Sequence, residues 1–148
     1  MPFRYTLQSV LRLRASLERQ EELRLFATAA VVARLRAELE LLDLNHLSRR
    51  RAVIGELQIG SSGAVLHFAA VCDAAYAAVR TKLQTQLQEA EARRLAQLRV
   101  YQSAHQKREI LEGLRDRQQA AFDLTFTRHE QQGADEAYLI GFHADARE

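Results

Sequence analysis

The sequence predicts an all-α protein, a long antiparallel two-helix coiled-coil hairpin with a C-terminal helical overhang. Three observations predict it. The only proline is Pro2, so no later residue lacks a backbone donor or forces a helix to break. The only dense cluster of turn residues inside the chain is "IGSSGA", around Gly60–Gly63. On both sides of that cluster apolar residues recur at alternating spacings of three and four.

Composition agrees. Ala and Leu dominate, with Gln, Glu and Arg filling most of the rest, as in long helices and coiled coils. Aromatic residues make up 7% and Trp is absent, which leaves little material for a thick globular core.

Each element follows from local chemistry. Helix 1 is expected over about residues 6–59, with the Thr6 hydroxyl as its N-cap. The turn is expected at residues 60–63, where Gly60 takes the left-handed conformation that closes one helix and Ser61 or Ser62 opens the next. Helix 2 is expected over about residues 64–140, all within one coiled-coil domain spanning residues 1–148. In helix 1 the spacing of Leu25, Thr28, Val32, Leu35, Leu39 and Leu42 is that of a coiled-coil seam. Leu7 and Leu11 share its register, while Arg14, Glu18 and Glu21 occupy the seam positions between and weaken it there. In helix 2 a stripe through Tyr76, Leu83, Leu87 and Ala90 drifts to Leu95, Leu98 and Tyr101, then to Leu111, Leu114, Ala121 and Phe122, which predicts stutters in the heptad frame. Gly55 and Gly113 each weaken their helix by about 1 kcal/mol relative to Ala.

Antiparallel pairing about this turn makes partner numbers sum to roughly 123, from one residue per helical rise on each side. Leu42 then faces the neighbourhood of Thr81, Leu25 that of Leu98, and Leu7 that of Asp116. Residues beyond about Arg117 have no partner in helix 1, yet carry Phe122, Leu124, Phe126, Tyr138 and Leu139. A lone helix with apolar side chains requires another surface.

Charge and special residues exclude several classes. The 21 basic and 19 acidic residues nearly cancel, and the basic stretch from Arg93 to Arg117 is interrupted by Glu109, Glu112 and Asp116, so no nucleic acid is expected as partner. No apolar run reaches membrane-spanning length and no leader is evident, so the expected compartment is the cytoplasm. Cys72 has no thiol companion. No two of His46, His67, His105, His129 and His143 are three or four residues apart, so no metal site is expected. His105 and Glu109 read as an i,i+4 helix pair. A two-helix rod supplies no water-excluding pocket, so neither catalytic residues nor cofactors are expected.

The segment "QKREILEGLRDRQQAAF…RHEQQGADEA" resembles the C-terminal signature of the FliJ family of flagellar type III export proteins, at Leu111, Leu114, Asp116, Arg117, Gln118, Glu130, Gln131, Asp135, Glu136 and Ala137. The opening "FRYTLQSVLRLRASLERQEELRL" is similar to the family's start through Phe3, Leu7, Gln8, Val10, Leu11, Arg14 and Glu18. The resemblance implies a non-enzymatic stalk-like coiled coil, similar to the gamma subunit of rotary ATPases. It implies that the end bearing both termini enters the ring of the flagellar export ATPase hexamer, that the shaft contacts the cytoplasmic domain of the export gate, and that export chaperones are further partners. Through those partners the protein would sit peripherally at the inner membrane, at the flagellar base, and couple ATP hydrolysis to protein export. The chain departs from the family pattern at Gly133-Ala134. There the last turn either frays, or the helix ends and Asp135-Glu136 cap a short further one.

The resemblance carries candidate contacts to named positions. Arg12, Arg14, Arg117, Gln118, Phe122, Arg128, Glu130, Gln131, Asp135 and Glu136 are the expected ATPase-ring contacts. Leu42, Asn45, Tyr76, Val79 and Leu83 are the expected export-gate contacts, with Tyr76 foremost because its ring is apolar and its tip polar. For each of these the plainer alternative is a solvated face at the ring end or seam packing at mid-hairpin. The rival functions are the equivalent stalk of a virulence-type secretion system, a generic self-associating coiled coil, and a nucleic-acid-binding coiled coil.

Overall fold

A computed structural model describes residues 3–60 and 62–145, with side chains as far as residue 140. Two helices, α1 (Gln8–Ile59, 52 residues) and α2 (Gly63–Asp145, 83 residues), make up nearly all of it and pack against each other as a hairpin.

The helix starts differ from the expectation by a short turn. Thr6 is not the N-cap of α1; it lies in a turn in which Gln8 N–H donates to the Tyr5 carbonyl (3.2 Å), and the first helical bond runs from Leu11 N–H to the Leu7 carbonyl (2.9 Å). What sets this entry is tertiary rather than local. Tyr5 is only 8% exposed, and its hydroxyl donates to the carbonyl of Leu111 at 3.0 Å. At the other end Gly60 has φ +92°, the left-handed conformation that glycine adopts without steric cost. Its N–H donates to the Leu57 carbonyl, and Val65 N–H donates to the Ser62 carbonyl at the first turn of α2. Ser61, the other capping candidate, lies outside the described residues.

The chain falls into two compact units. The first combines Met1–Glu18 with Ser103–Glu148, the second is Arg19–Gln102. In the second, Val32, Leu35 and Ala90 form the buried core, with Leu83 and Leu87 packed on it. In the first, Leu11 and Tyr5 are the buried apolar residues. Two helices without a third layer cannot enclose a side chain entirely, and no described side chain is fully buried.

Along α1 the expected seam holds without interruption. Leu7, Leu11, Arg14, Glu18, Glu21, Leu25, Thr28, Val32, Leu35, Leu39 and Leu42 are each buried or half-buried, in strict three-four alternation, and His46 continues it. In α2 the expected stripe is found in part: Leu98, Tyr101, Leu111 and Phe122 are half-buried, but Leu95, Leu114 and Ala121 are not. The half-buried positions run through Leu83, Leu87, Ala90, Arg94, Gln97, Tyr101, Ala104, Arg108, Leu111, Arg115 and Phe122, whereas Leu95 is 50% exposed, Leu114 37%, and Ala121 is exposed. Polar side chains with long apolar stems hold much of the seam there, and Leu95 beside Arg94 is left half exposed. The one frame shift is upstream, where Cys72, Tyr76 and Arg80 follow at two successive steps of four, the signature of a stutter.

Nor does Gly133 interrupt α2, which runs on through Asp135 and Glu136 to Asp145. One glycine costs about 1 kcal/mol, too little to stop a helix extended from a long folded segment.

Two glycine substitutions should act in opposite directions. Gly60→Ala forces a Cβ into the left-handed region and should lower stability by roughly 1–2 kcal/mol. Gly113→Ala, in mid-helix with nothing within 4 Å of the new Cβ, should raise it by about 1 kcal/mol. Urea unfolding followed by circular dichroism measures both.

Candidate functional site

The expected ring contacts belong to the unit that holds both chain ends, and its geometry is set by three inter-helix links. Tyr5 bonds to the backbone of Leu111. Phe3 packs on Phe122 with ring centroids 5.7 Å apart, and Phe122 in turn lies 6.3 Å from Phe126. Glu18 accepts hydrogen bonds from His105 Nδ1 (2.7 Å) and from Arg108 Nε, and Arg108 also pairs with Glu112. Among the side chains described, Phe122 is thus the last half-buried one of α2, and every residue from Asp123 to Ile140 is exposed. The overhang begins there, about five residues later than Arg117, because the extended segment at Phe3–Tyr5 reaches back along α2.

Burial sorts the expected ring contacts. Arg14 occupies a seam position and is half-buried, as is Phe122; Arg12, Arg117, Gln118, Arg128, Glu130, Gln131, Asp135 and Glu136 are exposed. Steps of three and four place Arg117, Leu124, Arg128, Gln131 and Asp135 on one stripe of the continuous helix. Gln118, Phe122, Phe126 and Glu136 fall on the stripe that continues the seam, and Glu130 lies between the two. The overhang therefore presents one polar-charged face that includes an outward Leu124 (53% exposed), and one aromatic face led by Phe126 (45% exposed).

At mid-hairpin, in the second unit, the expected gate contacts separate. Leu42, Tyr76 and Leu83 are half-buried in the seam, while Asn45 and Val79 are exposed. The Tyr76 hydroxyl donates to Asp43 (2.7 Å), Arg80 donates to both oxygens of the same carboxylate (3.0 and 3.3 Å), and the Tyr76 ring stacks on His46 at 3.7 Å. The hydrogen bonds from Arg80 and then from Tyr76 hold the Asp43 carboxyl below its usual range, and the same bond to Asp43 raises the Tyr76 hydroxyl. Both ends of Tyr76 are engaged within the chain. The outward apolar residues of α1 in this stretch are Leu41 (59% exposed) and Leu44 (57%). Sequence reasoning passed them over in favour of Leu42, although a seam through Leu39, Leu42 and His46 already implies that leucines at 41 and 44 lie off it.

The Glu18 carboxylate is partly desolvated, which favours its neutral form, but the hydrogen bonds and charges of His105 and Arg108 outweigh this and hold it below its usual range. The bond to Glu18 conversely raises His105, with Glu109 (3.3 Å from Nε2) adding to the effect and Arg108 opposing it. The two residues bracket a window of stability. The contribution of His105 is complete below its unfolded pKa near 6.5 and is lost as pH rises through the higher folded value; that of Glu18 is present above 4.5 and is lost as pH falls through its lower folded value. The urea midpoint should therefore decline on the alkaline side of 6.5, and His105→Gln should flatten that decline while reducing, but not abolishing, the acid-side decline, since Arg108 still holds Glu18 low.

A hairpin of two long helices, a seam laced with ion pairs and an exposed helical extension define a coiled-coil scaffold rather than a globular domain. The family model for the flagellar FliJ protein matches residues 3–147, nearly the whole chain, and the chain belongs to that family. It is accordingly a component of the flagellar type III export apparatus, in a family of non-catalytic export components. No curated protein and no solved structure matches it significantly. Among the described residues no helix is long and apolar enough to cross a membrane.

Proposed function

We propose that the chain is a cytoplasmic stalk that enters the ring of the flagellar export ATPase hexamer with its overhang, engages the cytoplasmic domain of the export gate at mid-hairpin, and couples ATP hydrolysis to protein export. The observation that carries this reading is the stretch 123–140, helical throughout and exposed at every position. An isolated helix of that length is marginal in water. Retaining Leu124, Phe126, Tyr138, Leu139 and Ile140 on it, each 45% exposed or more, makes sense where a second protein covers them. The two stripes of the overhang suit a ring lumen, which surrounds a helix and can meet a charged face and an aromatic face at once. Arg12, on the exposed side of α1 in the same unit, would add to the polar contacts, whereas the half-buried Arg14 and Phe122 support the helix from within.

At the gate, Asn45 and Val79, with Leu41 and Leu44 beside them, are the residues available for contact. Tyr76, Leu42 and Leu83 position them from the seam. Export chaperones would be further cargo of the same hairpin, and contact with the gate would place the chain at the inner membrane through its partners.

The test of ring entry is stimulation of the purified export ATPase. Full-length chain should raise turnover or the hexamer population, and a chain ending at Asp123, which keeps the Phe3–Phe122 and Tyr5–Leu111 links, should lose most of that effect while melting at nearly the same temperature. Undiminished stimulation by the shortened chain would overturn ring entry. For the gate, the double substitution Asn45→Asp/Val79→Asp should weaken binding to the gate's cytoplasmic domain about tenfold or more, the loss typical of two contact residues, with unchanged helix content. Unchanged affinity would remove both residues from the contact.

A further inference from the structure

We propose that the closed end of the hairpin, where α1 turns into α2, binds directly to anionic lipid surfaces. This does not rest on ring entry or gate binding, since it uses neither of those sets of residues.

Three observations at this end converge. The first is charge. Arg49, Arg50 and Arg51 are all exposed and none pairs with a described carboxylate; Arg4, Arg12, Arg14, Arg94, Arg99, Arg117 and Arg128 also lack such a partner, but no two of those are adjacent, and the arginines at 19, 24, 34, 36, 80, 93, 108 and 115 are paired. Between residues 47 and 72 the only acid is Glu56. Three adjacent cations without partners call for an anion.

The second is apolar exposure around the turn. Ile59 is 89% exposed, Phe68 67%, Ile54 54%, Val71 54% and Leu66 52%. With Val53, Val65 and Cys72 on the inward side, helical periodicity puts Leu66 on one flank of the seam of α2 and Phe68 and Val71 on the other. A docking helix covers one flank. A bilayer interface receives both, so the distribution favours a lipid surface over an acidic partner helix.

The third is depth. Arg51 precedes Ile59 by eight residues, roughly 12 Å along the helix. Apolar side chains of interfacial helices sink about 5–10 Å into the headgroup and acyl boundary, which would leave the arginines level with the lipid phosphates. Between the helices at this end lies an open cleft of about 720 Å³, lined by Val53, Leu57, Val65 and Ala69, with Arg49 and Arg50 at one edge and Glu56 and Asp73, the latter 3.6 Å from His46, also on its wall. It gives an acyl chain an apolar seat beneath a cationic rim. Glu56, three residues or about 4.5 Å before Ile59, would lie deeper than the arginines and opposes binding, which limits the affinity to a reversible contact.

The test is flotation of the full chain with vesicles of phosphatidylcholine containing 40% phosphatidylglycerol, against vesicles of phosphatidylcholine alone. The chain should float with the anionic vesicles, and added salt should weaken the association. Neutral vesicles should leave it in the aqueous fraction. R49Q/R50Q/R51Q should reduce the partition on the order of 100-fold, from about fivefold per arginine near an anionic surface. Ile59→Asp, at a position too exposed to affect folding, should reduce it about tenfold or more, and Glu56→Gln should strengthen it. Absence from the anionic vesicles at low salt would overturn the proposal and return the basic cluster to a protein partner, as would equal flotation with neutral vesicles. Wild-type binding by the triple arginine variant or by Ile59→Asp would overturn it equally.

Discussion

In each of its two units the molecule depends on one line of side chains between two helices, spaced by threes and fours on α1, Leu7 to Glu18 in one unit and Glu21 to His46 in the other. A globular domain distributes its stability over a core with several layers; a hairpin has one line of contact. The best-buried side chains, Val32, Leu35, Leu11, Ala90 and Tyr5, still retain 4–8% exposure. Polar residues in the seam are therefore not isolated in an apolar interior. Glu18 with His105 and Arg108, Glu21 with Gln97, and Asp43 with Tyr76 and Arg80 satisfy one another across it, each close enough to water to keep its charge or hydrogen bonds. Such layers add little net stability but oppose slippage, since displacing one helix by a heptad would strand every partner.

Register matters because it decides where the pairing stops. The links from Tyr5 to Leu111 and from Phe3 to Phe122 determine how far the first helix and its lead-in cover the second. Beyond Phe122 the seam has no partner, yet the helix continues through Gly133 to Asp145. One end of a long helix is left exposed in a chain that belongs to the FliJ family.

The seam of α1 was readable in the sequence because Leu and Val hold most of its positions, and the turn because Gly60 stands beside two serines. The frame of α2 was readable only in part. There Arg94, Gln97, Arg108 and Arg115 occupy inward positions, burying their stems, while Leu95 beside Arg94 is left half exposed, so a search for apolar residues finds only some of the stripe. The start of α1 was misplaced for a related reason: Thr6 is a good cap in isolation, but the buried Tyr5 and its bond to Leu111 place the first turn. At the candidate gate surface, residue type alone favoured Tyr76, and only the position of Asp43, Arg80 and His46 around it reveals that its hydroxyl and ring are already engaged. The polar ring-contact candidates come from the family resemblance alone, and their division into two stripes follows once the helix is continuous past Gly133.

Amide hydrogen exchange, read residue by residue with and without the export ATPase ring, tests the central claim most directly. In the free chain, protection should be greatest around Val32, Leu35 and Ala90 and should fall away beyond Phe122, because a helix without packing opens readily. On addition of the ring, amides between Asp123 and Ile140 should slow, with little change at the seam core. Overhang amides as well protected in the free chain as those of the core, or unchanged by a ring shown to be bound, would contradict the account.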